Sequence, residues 1–187
     1  MNILPQEKTP DKQVDLDRLR TALRALLPAD ALLASGEEKK PYECDGLSAY
    51  RQLPGLVVLP ETTEQVRRVI LACREHGVPV VARGAGTGLS GGALPHVDGV
   101  LLSLSKLSCI LEIDPINRTA RVEPGVRNLA ISEAVAPHGL YYAPDPSSQI
   151  ACSIGGNVAE NAGGVHCLKY GLTVHNVLGL KFLTVDG

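Results

Sequence analysis

The chain has no run of apolar residues approaching the roughly 18 needed to cross a membrane. Its first residues, Met1-Asn2-Ile3-Leu4-Pro5-Gln6, have no cationic stretch followed by an apolar one, so no targeting segment is expected. There is no cluster of Lys and Arg, and the formal net charge is −2, which excludes a phosphate-neutralising surface for nucleic acid or an anionic membrane. Nor is there a C-x-x-C pair. Cys44, Cys73, Cys109, Cys152 and Cys167 are an odd set at irregular spacing and read as reduced, mostly buried thiols of a cytoplasmic protein. The spacings of Cys152, His166, Cys167 and His175 match no zinc pattern, so no metal site is expected. The closely spaced cysteines of an iron–sulfur site are also missing, and any cluster must sit on another polypeptide. What remains, 187 residues of which 44% are hydrophobic, suffices for one core.

The most informative stretch is Arg83-Gly84-Ala85-Gly86-Thr87-Gly88-Leu89-Ser90-Gly91-Gly92, a loop with five glycines directly after the apolar run Val78-Pro79-Val80-Val81-Ala82. Glycine lets backbone N–H groups turn toward a ligand and approach it closely, so such a loop leaving a strand is a cradle for phosphate oxygens. Gly86, Gly88 and Gly91 have the G-x-G-x-x-G spacing of a dinucleotide fold. That fold also needs a helix next, whereas Gly92-Ala93-Leu94-Pro95-His96 places a proline where a helix should propagate. A Gly-Lys-Ser/Thr triplet is absent, which removes the Walker loop. Pyrophosphate binding by backbone amides, aided by the Thr87 and Ser90 hydroxyls, is the functional reading; a mobile glycine loop is the plain alternative.

A second cluster, Ser153-Ile154-Gly155-Gly156-Asn157-Val158-Ala159-Glu160-Asn161-Ala162-Gly163-Gly164, predicts one or two helical turns capped by Ser153 and ended at Gly163. Ala159 and Ala162 would let a flat group pack against the backbone. Ahead of it, Ala143-Pro144-Asp145-Pro146 is a rigid turn segment, because residues before proline are pushed to extended geometry.

Elsewhere the pattern is mixed α/β. Leucines at 16, 19, 23 and 26 predict an N-terminal helix from Asp15 to Leu27, stopped by Pro28, and Glu37 to Pro41 reads as a charged linker. Leu56–Leu59 predicts a strand, and Thr62 to Gln65 a capping box before a helix that ends at His76-Gly77. With Val78–Ala82 this forms a parallel βαβ unit that delivers the glycine loop at a carboxyl strand end, where ligands of open α/β sheets collect. Strands are predicted over Val100–Leu104, Cys109–Ile113 and Thr119–Glu123, and a helix over Asn128–Ala136. Leu178–Val185 alternates like a strand and runs into Asp186-Gly187, a hairpin signal.

The order of these motifs, Arg-Gly-x-Gly-Thr-x-x-x-Gly-Gly, Pro-Asp-Pro, Ser-Ile-Gly-Gly-Asn-x-Ala-x-Asn-Ala-Gly-Gly, then Tyr-Gly, resembles the FAD-binding domain of the vanillyl-alcohol oxidase and p-cresol methylhydroxylase superfamily, on its hydroxy-acid dehydrogenase branch (glycolate oxidase flavoprotein subunits, D-lactate and D-2-hydroxyglutarate dehydrogenases). The likeness covers about Tyr42 to Gly187. It implies an α+β fold with two lobes, an N-terminal βαβ unit and a second mixed sheet with helices, FAD lying between them. Residues 1–41 are then an N-terminal helix and linker, and 42–187 a FAD-binding domain whose C-terminal completion and substrate domain lie outside this sequence.

The resemblance further implies that Gly84, Ala85, Gly86, Thr87, Gly88 and Ser90 wrap the FAD pyrophosphate, with Arg83 holding the loop or approaching the phosphates. Pro144, Asp145, Ser153, Gly155, Gly156, Asn157, Asn161, Gly163 and Gly164 would line the flavin and ribityl chain, and Gly171 and Val174 would flank the cofactor. Residues 83 to 92 contain no histidine, so FAD is expected to be non-covalent. The implied activity is oxidation of a small 2-hydroxy acid, with an iron–sulfur electron-transfer subunit as partner and, through it, a peripheral place at the inner membrane. A reductase of cell-wall precursor synthesis and a non-enzymatic binding module are the alternatives. No catalytic residue is assigned: His138 reads as a helix-end residue, and His166 is the histidine that could face the flavin.

Overall fold

The computed structural model describes residues 15–187, so the reading of Met1–Gln6 lies outside the described residues. α1 (Leu16–Arg24) starts where the Asp15 carboxylate accepts from the Arg18 amide at 3.0 Å, and it buries Leu19 and Leu23 completely. The segment expected to be a charged linker is helical instead. Ser35 and Glu38 form a reciprocal capping box that starts α2 (Gly36–Lys39), and a 3-10 turn follows over Lys40–Tyr42. Satisfying two orphan amides at once is what lets so short and charged a stretch hold a helical turn.

The main sheet contains β1 (Leu32–Leu33), β2 (Leu56–Val58), β3 (Val80–Arg83) and β4 (Val100–Ser103) in the order β1-β2-β4-β3. β2, β4 and β3 are parallel, and β1 is an antiparallel edge. The crossover from β2 runs through α3 (Thr63–Glu75) to β3, and β4 inserts between the two strands. β2 and β4 are buried at every residue, as befits parallel strands covered on both faces. Leu56, Val58, Val100 and Leu102 pack with Leu19 and Leu23 of α1 and Val66, Val69 and Cys73 of α3. Burial pushes the Cys73 thiol up to about 12. Only Cys73 and Cys152 of the five cysteines are buried, fewer than expected; Cys109 is exposed because it precedes a surface strand.

A second, smaller sheet pairs β5 (Ile110–Asp114) with β6 (Thr119–Val122) as an antiparallel hairpin. It packs beside α4 (Asn128–Val135) and α5 (Ile154–Glu160) around Val126, Ile131 and Ile154, with Ile110, Val122 and Tyr142 at the margin. α4 passes into a 3-10 turn, Ala136–His138, that Gly139 ends at φ +69°, so His138 is a helix-end residue. α6 (Cys167–Tyr170) and a 3-10 turn over Thr173–Asn176 complete the order.

Two expectations are corrected here. α5 ends at Asn161, which takes the left-handed conformation at φ +48°, and not at Gly163. Asparagine visits that conformation more readily than other residues with a Cβ, and its Oδ1 here accepts from the Val174 amide, 13 residues on, at 3.0 Å. Leu178–Val185 forms no strand. Among the described residues no strand pairs with it, although Leu183 packs on the main core, and Asp186-Gly187 closes only a lone turn, held against α3 by an Arg74–Asp186 ion pair of 2.7 Å.

Candidate functional site

β3 ends at Arg83, whose side chain turns inward. Its Nη1 donates to the Cys44 carbonyl at 2.7 Å, its guanidinium lies 5.7 Å from the centre of the Tyr42 ring, and only 9% of the residue is exposed. Arg83 therefore braces the loop that follows it. Gly86 (φ +71°) and Gly91 (φ +76°) provide the two left-handed bends, and a Cβ on Gly86 would run into the Arg83 guanidinium. From beneath, the segment Cys44-Asp45-Gly46 supports the same loop. The buried Asp45 accepts from the amides of Leu47 (2.9 Å) and Ala93 (3.4 Å), and a Cβ on Gly46 would sit 2.7 Å from the carbonyls of Thr87 and Gly88. The sequence reading missed this brace; its only local signal was the turn pair Asp45-Gly46.

Held this way, the loop leaves its amides free. Among the described residues, no amide from Gly84 to Gly92 donates to a protein acceptor. Backbone N–H groups are ordinarily paired with protein or water, so amides that make no protein hydrogen bond on a braced loop can be offered to an acceptor from outside the chain; of these nine, Gly84, Ala85, Gly86, Thr87, Gly88 and Gly92 line the cleft.

The facing wall is α5. Its first amides are already satisfied, Ile154 by the Val126 carbonyl and Gly155 by the Pro124 carbonyl (2.8 Å each), and Gly156 by Ser153 Oγ (3.4 Å), so this helix offers its side rather than its end. A Cβ on Gly84 would strike Ser153 Oγ, and one on Gly155 would sit 2.8 Å from Pro124 Cβ. The absence of a side chain at these two glycines thus lets the backbone close on Ser153 and Pro124 beside a cleft of about 240 Å³. Beneath it, Asn128 Nδ2 donates to Asn157 Oδ1 (2.8 Å) and the Pro144 carbonyl (3.0 Å), while Asn157 Nδ2 donates to Cys152 Sγ (3.2 Å). This buried set ties the Pro144 turn, α4 and α5 together.

Of the residues picked from sequence, the cleft brings together Arg83, Gly84, Ala85, Gly86, Thr87, Gly88, Ser153, Gly155, Gly156 and Asn157. It adds Gly92, Pro124, Cys152 and Glu160, among others that sequence reasoning did not select. Ser90, Pro144, Asp145, Asn161, Gly163, Gly164, Gly171 and Val174 do not line it. Asn161 and Val174 line a separate cavity of about 350 Å³ with Val158, Thr173, Val177 and Leu180. Asp145 Oδ2 is 2.6 Å from His166 Nδ1, and that hydrogen bond holds the Asp145 carboxyl below the ordinary carboxylate range. Gly164 lies so close to Asp145 that a Cβ there would collide with it; Gly163 packs on Leu172 and Gly171 (φ +79°) on His175. Among the described residues, no group of three or more His, Cys, Asp or Glu side chains is arranged to hold a metal ion.

A family model described as "FAD binding domain" matches residues 54–187. The chain belongs to this family. The FAD-binding domain is 63% identical over its whole length to the glycolate oxidase subunit GlcD of Escherichia coli (strain K12), covering 38% of that protein. It is 42% identical to D-lactate dehydrogenase of Archaeoglobus fulgidus, over 71% of this chain and 29% of that one. Among solved structures, p-cresol methylhydroxylase aligns at a TM-score of 0.70 and 27% identity, over 86% of this chain and 32% of that one. The FAD-binding domain thus spans well under half the length of these relatives. None of its helices is long and apolar enough to cross a membrane, among the described residues.

Proposed function

We propose that the chain is the FAD-binding portion of a flavoprotein oxidoreductase that oxidises a small 2-hydroxy acid, of the glycolate or D-lactate type, to the 2-oxo acid. The observation that carries this reading is the set of free amides of Gly84–Gly88 and Gly92 on a braced loop, in a cleft shared with the glycine-lined side of α5. It fits a pyrophosphate held by backbone alone, since Arg83, the cation in the lining, is committed to Cys44 and Tyr42. The similarity to hydroxy-acid enzymes supports the substrate class.

When bound, the flavin supplies the hydride-accepting group, and the hydroxyl proton passes to a base. The chain's own contribution is to grip and orient the cofactor: the loop takes the pyrophosphate, and Gly155, Gly156 and Ala159 admit the rest against α5. Pro144, Asp145, Ser90, Asn161, Gly163, Gly164, Gly171 and Val174 belong to the continuation of the binding surface beyond the cleft. Residues 42–187 act as the cofactor domain. The base and the substrate contacts lie in sequence that the longer relatives have beyond this stretch. Similarity to proteins named as oxidase subunits supports a partner chain; with an iron–sulfur electron-transfer subunit in that role, the protein works in the cytoplasm, at the inner membrane through that partner.

FAD is held without a covalent bond, since the loop offers no histidine to carry one. Mixing the purified chain with FAD, removing the excess and recording the visible spectrum should show oxidised flavin, released into the supernatant by acid precipitation. A folded chain that stays colourless contradicts the cofactor assignment, and flavin that stays with the precipitate contradicts the non-covalent one. For the substrate class, anaerobic glycolate or D-lactate should bleach the flavin of the full-length enzyme; indifference to both overturns that part.

A further inference from the structure

The two walls of the cleft carry opposite hydrogen-bonding character, and one residue accounts for the second wall. Glu160, on the same face of α5 as Gly156, turns its carboxylate across the cleft toward the far limb of the loop. Its Oε1 lies 3.1 Å from where a Cβ on Gly92 would be and 3.7 Å from the equivalent point on Gly88. Among the described residues this carboxylate has neither a hydrogen bond nor an ion pair. It also does not take up the free loop amides nearby.

A carboxylate accepts hydrogen bonds and donates none, as do phosphate oxygens, so the two cannot satisfy each other. A ligand that fills this cleft must offer acceptors to the amide wall and donors to the Glu160 wall. A phosphate bearing a neighbouring sugar-type hydroxyl has both. In dinucleotide folds an acidic residue reads a ribose hydroxyl while amides hold the pyrophosphate; here the acid stands on a different element and faces the loop directly.

We propose that Glu160 is a specificity residue that accepts a hydrogen bond from a hydroxyl of the bound cofactor, on its ribityl chain or its ribose, and so selects a hydroxylated phosphate ligand over a bare anion. This rests on the FAD reading above. Failure of the wild-type chain to bind FAD would fell both; binding that ignores Glu160 would fell this one alone.

The test measures FAD affinity by flavin fluorescence for the wild type, Glu160→Ala and Glu160→Gln, with thermal midpoints of the free proteins. Hydrogen bonds to charged groups are strong enough that Glu160→Ala should weaken FAD about tenfold or more, while Glu160→Gln, whose neutral amide oxygen still accepts but without the charge, should fall between Ala and wild type. The midpoints should not move, because the side chain is exposed and unpaired. FMN and ADP locate the hydroxyl: loss in the FMN titration assigns the ribityl chain, loss in the ADP titration the ribose. Equal or tighter FAD binding by Glu160→Ala overturns the proposal, since it makes the carboxylate a repulsive neighbour. Binding that needs Mg²⁺ and is abolished by EDTA also overturns it, assigning Glu160 to a bridging cation.

Discussion

Gly86 and Gly88 stand two residues apart in the loop and meet different demands. Gly86 is held at φ +71° with the Arg83 guanidinium in the space a side chain would need. A left-handed residue with a Cβ costs about 1–2 kcal/mol before any clash is counted. Gly86→Val should therefore lower both the melting temperature and FAD affinity. Gly88 has no positive φ, and the nearest atom to its Cβ position is Glu160 Oε1 at 3.7 Å. Gly88→Ala should leave the melting temperature unchanged and weaken FAD about tenfold or more, roughly 1.4 kcal/mol. Unchanged FAD affinity in a folded Gly88→Ala protein would remove the loop from the binding site. The glycine run itself was legible in the sequence, because five glycines in ten residues after an apolar strand have few other uses. Its supports were not: Arg83 and the Cys44 carbonyl are 39 positions apart, and that contact exists only once the chain has folded. Glu160 was equally hidden, since nothing in a carboxylate's own neighbourhood says what it faces across a cleft.

At the scale of elements, the periodic segments were readable and the short ones were not. α3 shows its Thr62 cap, its buried stripe of Val66, Val69 and Cys73, and its Gly77 stop at φ +66° in sequence and structure alike. The cap is half of the predicted box: Thr62 Oγ1 accepts from the Gln65 amide at 3.1 Å, while Gln65 reaches back to the Glu61 amide. Thr62→Ala should cost about 1 kcal/mol in denaturant titration and leave FAD affinity alone, because α3 contributes nothing to the cleft lining. A loss of FAD affinity would show that the helix positions the loop through the sheet. The turn at Gly36–Lys39 escaped because charge was read as solvation while its Ser35–Glu38 box was overlooked. Leu178–Val185 misled for the opposite reason. Alternation is a property of one segment, but a strand is a property of two.

For the molecule as a whole, the cleft is lined by segments that two separate hydrophobic clusters hold in place. The first, under the main sheet, delivers the loop at the carboxyl end of β3; the second, around Val126, Ile131 and Ile154, fixes α5 and Pro124 opposite it. The βαβ order and the later glycine cluster made both halves legible in the sequence, while the way Gly84 lets the loop close on Ser153 of the other half required the structure. The central claim is that the unpaired amides of the loop that line the cleft, those of Gly84–Gly88 and Gly92, hold the pyrophosphate. The measurement that meets it most directly is a ¹H–¹⁵N correlation spectrum of the labelled chain, recorded as FAD is added. Those amides should shift and gain protection from exchange at the FAD concentration at which flavin fluorescence changes. Flavin that binds while they stay unmoved would place the cofactor elsewhere and contradict the site described.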